Sequence, residues 1–225
     1  DHKQLTPHWE YREASVRFKI TSLFERLANM QQNNQQCIPQ IRLRVHYRGP
    51  LPLIHINNNK FYEGQITTTE EHEKSIREAN TKVGLMEDVP LYWYNIAGRV
   101  EDNIKEGDPS PSNLKEAEAV RKILTQLREK DVPDKDIQII TYYARQKKLL
   151  LLMCRGVAVN TVETSQGREG KFVILSLVKQ RSTDFLRTEG RFNVATSRAR
   201  QALFIVGNME VAMRPKQEKG KPISK

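Results

Sequence analysis

The second half of the chain alternates short, very apolar segments with helix-like ones, and this alternation restricts the possible folds more than any other feature. Three of the apolar segments are rich in Ile, Val, Leu and Phe throughout, which is typical of strands covered on both faces. Strands that alternate with helices at this spacing predict an α/β fold with a doubly wound, mainly parallel sheet. The sequence predicts strands at 137–143, 157–163, 172–178 and 202–207, and helices at 145–153 and 190–200.

Weaker patterns precede this region. A helix is predicted over 113–127, where Asn113 is the expected N-cap and Glu116 follows three residues later. Polar and charged residues over 66–88 indicate a surface connection. The remaining predicted elements are a helix at 15–30, a half-buried strand at 41–45 and an aromatic strand at 89–96.

The charge of the chain is compatible with a nucleic-acid partner without requiring one. The 225 residues include 37 Lys and Arg against 27 Asp and Glu, which gives a net charge of +10. A basic tail, 213–225, carries +4 of this and has no apolar periodicity, so we expect it to be disordered. The modest excess on the rest of the chain suits contact with a phosphate backbone.

Composition excludes several classes of protein. The longest apolar runs fall far short of the roughly 20 residues that span a membrane, so we expect no membrane partner. Two cysteines, Cys37 and Cys154, cannot build a disulfide framework or a zinc cluster. They favour an intracellular protein, cytoplasmic or nuclear, with no structural metal. His46 and His55 have no second ligand at metal spacing and are expected to be ordinary polar residues.

Polar segments follow the predicted strands, and chemistry in a doubly wound sheet sits at the carboxyl ends of strands. This rule directs attention to residues 164–170 and to the predicted helix 190–200, on which Arg198 and Arg200 lie two positions apart. Residues two apart on a helix point in different directions, so one arginine can face a site while the other packs outside it.

Seven segments, in this order, resemble motifs of one protein family, the superfamily 1 helicases of the nonsense-mediated-decay and senataxin type. These helicases are P-loop NTPases of the AAA type, and the resemblance runs nearly from end to end of the chain. The segments are 1-DHKQLTP-7, 22-SLFERL-27, 46-HYRGP-50, 61-FYEG-64, 139-IITYYARQ-146, 161-TVETSQGREGKFVILS-176 and 193-NVATSRARQALFIVGN-208.

The resemblance implies that this chain is the C-terminal, second RecA-like domain of a helicase that binds ATP between two such domains. Residues 1–39 would then be the end of the first RecA-like domain and a connecting helix, 40–212 the second RecA-like domain, and 213–225 the tail. The sequence has no Gly-x-x-x-x-Gly-Lys-Ser/Thr loop and no Asp-Glu pair after an apolar strand. We therefore expect a P-loop NTPase fold without its own P-loop, inactive by itself as an ATPase.

By motif position, the resemblance also assigns residues to the nucleotide. Arg198 is the expected arginine finger, Arg48 a second γ-phosphate contact, and Gln4 the residue that senses the γ-phosphate or orients the attacking water. Glu169 is expected to accept hydrogen bonds from the ribose hydroxyls, and Gly167 to let the backbone turn close to the nucleotide. The cofactor is ATP with Mg²⁺, both held mainly by the first domain.

Three further residues are assigned to nucleic acid. The resemblance places Thr141, Tyr143 and Thr161 against the sugar–phosphate backbone of a single strand. The implied function is ATP-driven translocation along, and unwinding of, RNA or DNA, with 5′-to-3′ travel. The partners would be single-stranded RNA or DNA and the first RecA-like domain of the same polypeptide.

The chain also departs from the family pattern at several motif positions. These departures leave a second interpretation open, a non-catalytic nucleic-acid-binding or regulatory module derived from such a helicase. A generic α/β enzyme would need a nucleophile and a base, and the sequence offers no such arrangement. The departures are His46 for Gln, Gly49 for Met, Tyr142 for Pro, Glu163 for Asp and Ser165 for an aromatic residue.

Overall fold

The structure is a computed structural model, and it describes residues 1, 3–5, 22–23, 25–27, 41–97, 100, 110–179, 186 and 188–210. The predicted tail lies outside these residues, and so does most of the predicted helix 15–30, although residues 23 and 25–27 are helical. Among the described helices, none has both the length and the apolar character needed to cross a lipid bilayer.

A five-stranded sheet, parallel throughout, forms the centre of the molecule. Its strand order is β1-β5-β4-β2-β3, so the three most apolar strands occupy the middle and the two less apolar strands the edges. The strands are β1 Leu91–Asn95, β2 Ile137–Thr141, β3 Ala158–Thr161, β4 Gly170–Ser176 and β5 Ala199–Gly207.

Five helices accompany the sheet in the described part of the chain. Helix α3 begins as predicted, because the Asn113 side chain accepts a hydrogen bond from the Glu116 backbone N–H. Two short 3-10 turns, Asp134–Asp136 and Glu163–Ser165, lie before β2 and after β3. The helices are α1 Leu51–Phe61, α2 Glu70–Lys82, α3 Leu114–Arg128, α4 Ala144–Met153 and α5 Glu189–Thr196.

Successive residues of each central strand point to opposite faces of the sheet, and each face has its own core. Ile139 of β2 packs with α3 and α4 on one face, whereas Ile140 packs with α1 and α5 on the other. Burial on both faces is the reason these strands are continuously apolar. The prediction of a doubly wound, parallel α/β fold is confirmed.

Two predictions from the first half of the chain are wrong. Residues 41–45 form no strand: only an isolated bridge joins Val45 to Thr67, and Ile41 and Leu43 are 86% and 90% exposed. Their alternating pattern requires a neighbouring surface, and the described residues provide none. Residues 66–88 are not merely a connection, because they contain α2, in which Ile76 is the one apolar residue that is buried.

The prediction for residues 190–200 is wrong at its carboxyl end. Helix α5 ends at Thr196, and β5 already begins at Ala199. Arg198 therefore lies in the turn between helix and strand, and Arg200 lies on the strand itself. Helix α1 was not predicted, because its asparagine-rich sequence has no clear apolar period; it begins after Pro50, a residue that favours helix starts.

Candidate functional site

The residues assigned from the sequence separate into two groups at opposite ends of the strands. We call these two borders of the sheet its amino-terminal edge and its carboxyl-terminal edge. Glu169 and Arg198 immediately precede β4 and β5, so they lie at the amino ends of these strands. Thr141 and Thr161 are the last residues of β2 and β3 and lie at the carboxyl ends. The expectation that all of this chemistry sits at carboxyl ends is wrong. The two edges are about 20 Å apart, the length of a seven-residue strand such as β4.

An arginine–glutamate cluster occupies the amino-terminal edge. Arg48 Nε donates to Glu169 Oε2 at 2.7 Å, and its Nη1 donates to the Ser197 carbonyl at 3.0 Å. Arg200 Nη1 lies 3.6 Å from the other oxygen of Glu169. The hydrogen bond from Arg48 holds the pKa of the Glu169 carboxyl below its usual range. Two guanidinium groups thus share one half-exposed carboxylate.

Arg198 completes this cluster but is folded back against the preceding helix, α5. Its Nε donates to the Val194 carbonyl at 3.1 Å, its Nη2 donates to Ser197 Oγ at 2.9 Å, and only 2% of the residue is exposed. Burial, followed by the charge of Arg48, lowers the pKa of the Arg198 guanidinium to about 10. Arg198 therefore remains protonated at neutral pH in spite of its burial.

The loop that leads into β4 depends on Gly167. This residue has a φ of +78°, a left-handed conformation that glycine adopts without strain, and no atom lies within 4 Å of the place where a Cβ would be. The backbone at Gly167 is therefore open on that side. Gly167 lies two residues before Glu169, and the expected close approach of a nucleotide would require an open backbone at this position.

Gln4 lies at the opposite end of α5 from the Arg198 turn. The Gln4 carbonyl packs against Gly190 so closely that a Cβ on Gly190 would collide with it. The neighbouring Leu5 packs partly against the core that contains α5. The structure therefore brings Arg48, Glu169 and Arg198 together, whereas Gln4 is connected to them through the helix.

Two of the departures from the family pattern have a structural explanation at this edge. His46 Nε2 accepts a hydrogen bond from the Gly49 backbone N–H at 3.1 Å. Burial, followed by the charges of Arg48 and His72, lowers the pKa of His46 to about 4, so its ring is neutral at pH 7. A Cβ at Gly49 would lie 2.9 Å from the Ala199 carbonyl. The missing side chain therefore lets the start of α1 approach the start of β5.

A cleft of about 400 Å³ adjoins the arginine–glutamate cluster. It lies between α2 and the amino ends of the strands, with Ile76 and Phe172 among its apolar walls. Arg48, Lys171 and Arg200 contribute positive charge to its lining. Lys171 is already paired with Asp136, at 2.8 Å. The amino-terminal edge is thus mainly cationic in a concave setting, as an anionic ligand requires.

The carboxyl-terminal edge is built from hydroxyl groups. Thr141 and Thr161 are direct neighbours in the parallel register of β2 and β3. Thr161 is partly exposed, and its hydroxyl lies 3.3 Å from that of Thr164. The Thr141 hydroxyl is buried and has no hydrogen-bond partner. Tyr143, half-buried, occupies the N-cap position of α4. These three predicted residues do lie together.

Sequence reasoning missed a buried polar network behind this edge. Glu116 is fully buried, and its Oε2 accepts hydrogen bonds from the Ser176 hydroxyl and the Val178 backbone N–H, both at 2.8 Å. Gln146 Nε2 donates to the Ser176 hydroxyl at 3.1 Å, and Gln146 Oε1 accepts from the Asn113 N–H at 2.8 Å. The capping pair Asn113 and Glu116 was recognised, but nothing in its spacing indicated burial.

The network fixes the chain where β4 ends. Val178 has a φ of +70°, which is rare for a β-branched residue, and both of its backbone polar groups are engaged: its N–H donates to Glu116 and its carbonyl accepts from Asn113. Desolvation raises the pKa of Glu116 to about 7, although its hydrogen bonds act in the opposite direction.

The described residues differ in how well they fit ATP and Mg²⁺. Charged guanidinium groups at the amino-terminal edge are suited to phosphate oxygens. No group of His, Cys, Asp or Glu in the described part of the chain has an arrangement that could hold a metal ion. The arginine–glutamate cluster therefore fits the phosphates of the nucleotide and not the cation.

Comparisons with known proteins are consistent with this architecture. A family model described as "AAA domain" matches residues 20–210. The "Regulator of nonsense transcripts 1 homolog" of Neurospora crassa is 31% identical over 226 residues, which cover 94% of this chain and 20% of the relative. The "ATP-dependent helicase NAM7" of Saccharomyces cerevisiae is 32% identical over 222 residues, covering 92% of this chain and 22% of the relative.

A similar solved structure is that of the PRRSV helicase, with 16% identity, a TM-score of 0.41, and coverage of 84% of this chain and 29% of that one. The chain spans about a fifth of the length of the two curated relatives.

Proposed function

Because this chain belongs to the AAA-domain family, matched over residues 20–210, and is similar to an ATP-dependent helicase, we propose that it acts as the second RecA-like domain of an ATP-dependent nucleic-acid helicase. The resemblance to a helicase RecA-like domain, inferred from the sequence motifs, is confirmed by the family. The proposal goes further and assigns a division of labour to the two edges of the sheet.

The observation that carries this proposal is the arginine–glutamate cluster at the amino-terminal edge. Arg48 donates to a carboxylate oxygen at 2.7 Å, and a phosphate oxygen can take the place of that acceptor with the same geometry. In the proposed site Arg48 moves from Glu169 to the γ-phosphate. The Glu169 carboxylate is then free to accept hydrogen bonds from the ribose hydroxyls.

Arg198 has the role of arginine finger in this proposal. Guanidinium groups stabilise the charge that develops on a transferred phosphoryl group. In related NTPases an arginine finger raises the rate of hydrolysis by about 10³- to 10⁵-fold. Arg198 keeps its proton, and the turn between α5 and β5 places it next to Ser197, whose carbonyl already binds Arg48. Reaching a nucleotide requires the guanidinium to leave the Val194 carbonyl and swing out of its buried position.

The first RecA-like domain is the proposed protein partner, and it would supply the P-loop and the Mg²⁺ ligands. An exposed apolar strip supports this partner: Ile41, Leu43, Val45 and Tyr47 alternate along an extended segment and are 46–90% exposed. Alternation of this kind suits a strand that adds to the edge of a neighbouring sheet. The proposed interface therefore covers these four side chains.

The carboxyl-terminal edge is the proposed grip on a single nucleic-acid strand. Thr161, at the end of β3, and Tyr143, two residues after the end of the neighbouring β2, are both partly exposed residues with hydroxyl groups, as sequence-independent contact with a phosphate backbone needs. Thr141 would reach the strand only after the residues that cover it move, because its hydroxyl is buried. In the proposed cycle, ATP-driven closure and opening of the cleft move this edge along the strand, 5′ to 3′.

One observation favours the second candidate, a non-catalytic binding or regulatory module. The guanidinium of Arg198 donates hydrogen bonds to the Val194 carbonyl of α5 and to Ser197 Oγ, and Arg198 is almost completely buried. A finger that never left this position would support binding without hydrolysis. The two candidates differ in whether the natural polypeptide hydrolyses ATP.

The test measures ATP hydrolysis by the natural full-length polypeptide that contains these residues, with and without single-stranded RNA or DNA of matched sequence. The helicase proposal predicts hydrolysis that either nucleic acid stimulates, together with unwinding of a duplex that carries a single-stranded overhang. Binding of a single strand without any hydrolysis would contradict the motor and leave the module. The ratio of RNA to DNA stimulation identifies the preferred substrate.

A further inference from the structure

A set of buried polar side chains joins the amino-terminal segment, by which we mean residues 1 and 3–5, to helix α5. Asn193 lies at its centre and is 1% exposed. Its Nδ2 donates to the Lys3 carbonyl at 3.0 Å and to the Tyr62 hydroxyl at 2.9 Å. Its Oδ1 accepts from Asn57 Nδ2 at 2.8 Å. Both hydrogens of the amide and its oxygen are therefore used, which fixes the orientation of the side chain.

The Tyr62 hydroxyl forms the second connection to the amino-terminal segment. While it accepts from Asn193, it donates to the Asp1 carboxylate at 2.5 Å. Gly190, three residues before Asn193, lacks the side chain that would collide with the Gln4 carbonyl. Three separate contacts along one side of α5 and α1 thus receive this short segment.

On its other side, Asn193 is connected to the turn that holds Arg198. Asn57 Nδ2 also donates to Thr196 Oγ1 at 2.9 Å, and Thr196 is two residues before Arg198. The Arg198 guanidinium in turn donates to the hydroxyl of Ser197, the residue directly after Thr196, at 2.9 Å. The same side chains therefore face Gln4 at one end and Arg198 at the other.

We propose that Asn193 and Tyr62 form a latch that fastens the amino-terminal segment to α5 and thereby positions Gln4 relative to Arg198. This inference rests on the proposed function, in which both Gln4 and Arg198 act on the γ-phosphate. Asn193 and Tyr62 are positioning residues: neither is assigned a contact with the nucleotide.

The latch favours two discrete arrangements over a continuum. When the amino-terminal segment is docked, every polar group of Asn193 has a partner. When the segment withdraws, a buried Nδ2 loses the Lys3 carbonyl as an acceptor, and an unsatisfied buried amide is unfavourable. The segment is therefore either fully docked or displaced, a property that suits a cleft which closes and opens in each cycle.

The main experiment is Tyr62→Phe in the natural full-length polypeptide. The substitution keeps the ring and removes only the hydroxyl that bridges Asn193 and Asp1. We expect kcat for ATP hydrolysis to fall about tenfold, as for loss of a hydrogen bond to a charged group. KM for ATP and affinity for single-stranded RNA should stay within about twofold of the wild type, because Tyr62 contacts neither ligand.

Tyr92→Phe is the matched control. Tyr92 lies on the edge strand β1, and its hydroxyl also accepts a hydrogen bond, here from the Met86 backbone N–H at 3.1 Å. The control removes an equivalent group far from α5 and should leave kcat unchanged. A similar fall in kcat for Tyr92→Phe would show that any lost tyrosine hydroxyl has this effect, and would overturn the latch.

Gly190→Ala tests the same latch by a different route. Alanine favours a helix more than glycine does, so α5 should not be weakened, but the added methyl group displaces the Gln4 carbonyl. We expect the same loss of kcat. Wild-type kcat in both Tyr62→Phe and Gly190→Ala would overturn the inference.

A readout without ATP separates failure of the latch from failure of the proposed function. Hydrogen exchange at the amides of residues 3–5 can be followed in the 225-residue chain whether or not it hydrolyses ATP. The latch predicts exchange at least about fivefold faster in Tyr62→Phe than in the wild type or in Tyr92→Phe. Unchanged exchange at these amides would overturn the latch even if the polypeptide proved to be an active helicase.

Discussion

The two edges of the sheet present different chemical groups. At the amino-terminal edge, guanidinium groups and a carboxylate lie within 2.7–3.6 Å of each other and are partly exposed. At the carboxyl-terminal edge the contacts are hydroxyl groups, and the charged residue behind them, Glu116, is fully buried. One edge thus holds partly exposed charge pairs, and the other presents hydroxyl groups in front of a buried hydrogen-bonded network.

This difference agrees with the two proposed ligands. A terminal phosphate that is about to be cleaved carries concentrated charge, and positioned guanidinium groups stabilise it. A nucleic-acid strand that must slide after each cycle is better held by several weaker contacts to its backbone. The comparison leads to predictions in which a substitution affects one edge and leaves the other unchanged.

The largest effect is expected at the amino-terminal edge. Arg198→Ala in the natural full-length polypeptide should lower nucleic-acid-stimulated ATP hydrolysis at least about 100-fold, because the developing charge loses its guanidinium partner. Arg198→Lys should fall nearly as far, since an ammonium group cannot reproduce the planar fork. Steady-state kinetics measure both. Arg77→Ala on α2 breaks a surface ion pair with Asp88 and should retain wild-type rates.

The buried carboxyl of Glu116 gives the next largest effect, on stability. Its pKa is raised from 4.5 to about 7, so the folded state binds more protons than the unfolded state between these values. The stability that the protonated form contributes is complete below pH 4.5 and is lost as the pH rises through 7. Relative to the wild type, Glu116→Gln should therefore gain about 2 to 3 kcal/mol in free energy of unfolding between pH 5 and pH 8.

Urea unfolding at several pH values measures this difference. Glu118→Gln on the same helix is the control, because its side chain is exposed. A difference between Glu116→Gln and the wild type that stays constant from pH 5 to 8 would mean that the pKa of Glu116 is not raised in the folded state.

The carboxyl-terminal edge should show the opposite selectivity to Arg198. Thr161→Val keeps the shape of the side chain and removes the hydroxyl, so affinity for single-stranded RNA should fall about tenfold, as for loss of a hydrogen bond to a charged phosphate. Hydrolysis at saturating RNA should remain at the wild-type rate. Fluorescence anisotropy measures the affinity, and Thr81→Val, on the exposed part of α2, is the matched control. Equal affinities for Thr161→Val and Thr81→Val would remove Thr161 from the proposed grip.

The smallest effect concerns the loop before β4. Gly167→Ala meets no neighbouring atom but must adopt a φ of +78°, which costs about 1 kcal/mol of folding stability. Gly84→Ala, with a φ of +65°, should cost about the same. Only Gly167→Ala should also raise KM for ATP. If both variants have the wild-type KM, the loop at Gly167 is not near the nucleotide.

The sequence predicted the central part of the fold well because strands that are buried on both faces are apolar throughout, and this pattern is easy to recognise. Continuous apolar character placed β2, β4 and β5, and the Asn113 cap placed the start of α3. The prediction for residues 41–45 is wrong because an alternating pattern shows that a segment can pack as a strand against a surface, and not that such a surface is present. Helix α2 was missed because a helix that buries little except Ile76 looks like a polar connection.

The site was predicted by residue type and not by location. The motifs pointed to Arg48, Glu169 and Arg198, and the structure gathers them, but the rule about carboxyl ends placed Arg198 on the wrong edge. Arg198 follows α5 and immediately precedes β5, so it lies at the amino end of this parallel strand, whereas the rule considers only the segments that follow strands. The burial of Glu116 and Asn193 arises from long-range packing, which no local spacing could indicate.

The proposal that the two edges have separate functions is tested most directly by one variant, in which both ATP hydrolysis and RNA affinity are measured. Arg198→Ala in the natural full-length polypeptide should lose at least about 100-fold in ATP hydrolysis while its dissociation constant for single-stranded RNA stays within about twofold of the wild type. Loss of hydrolysis and RNA affinity together, in a variant that keeps its wild-type melting temperature, would contradict the division of labour between the edges.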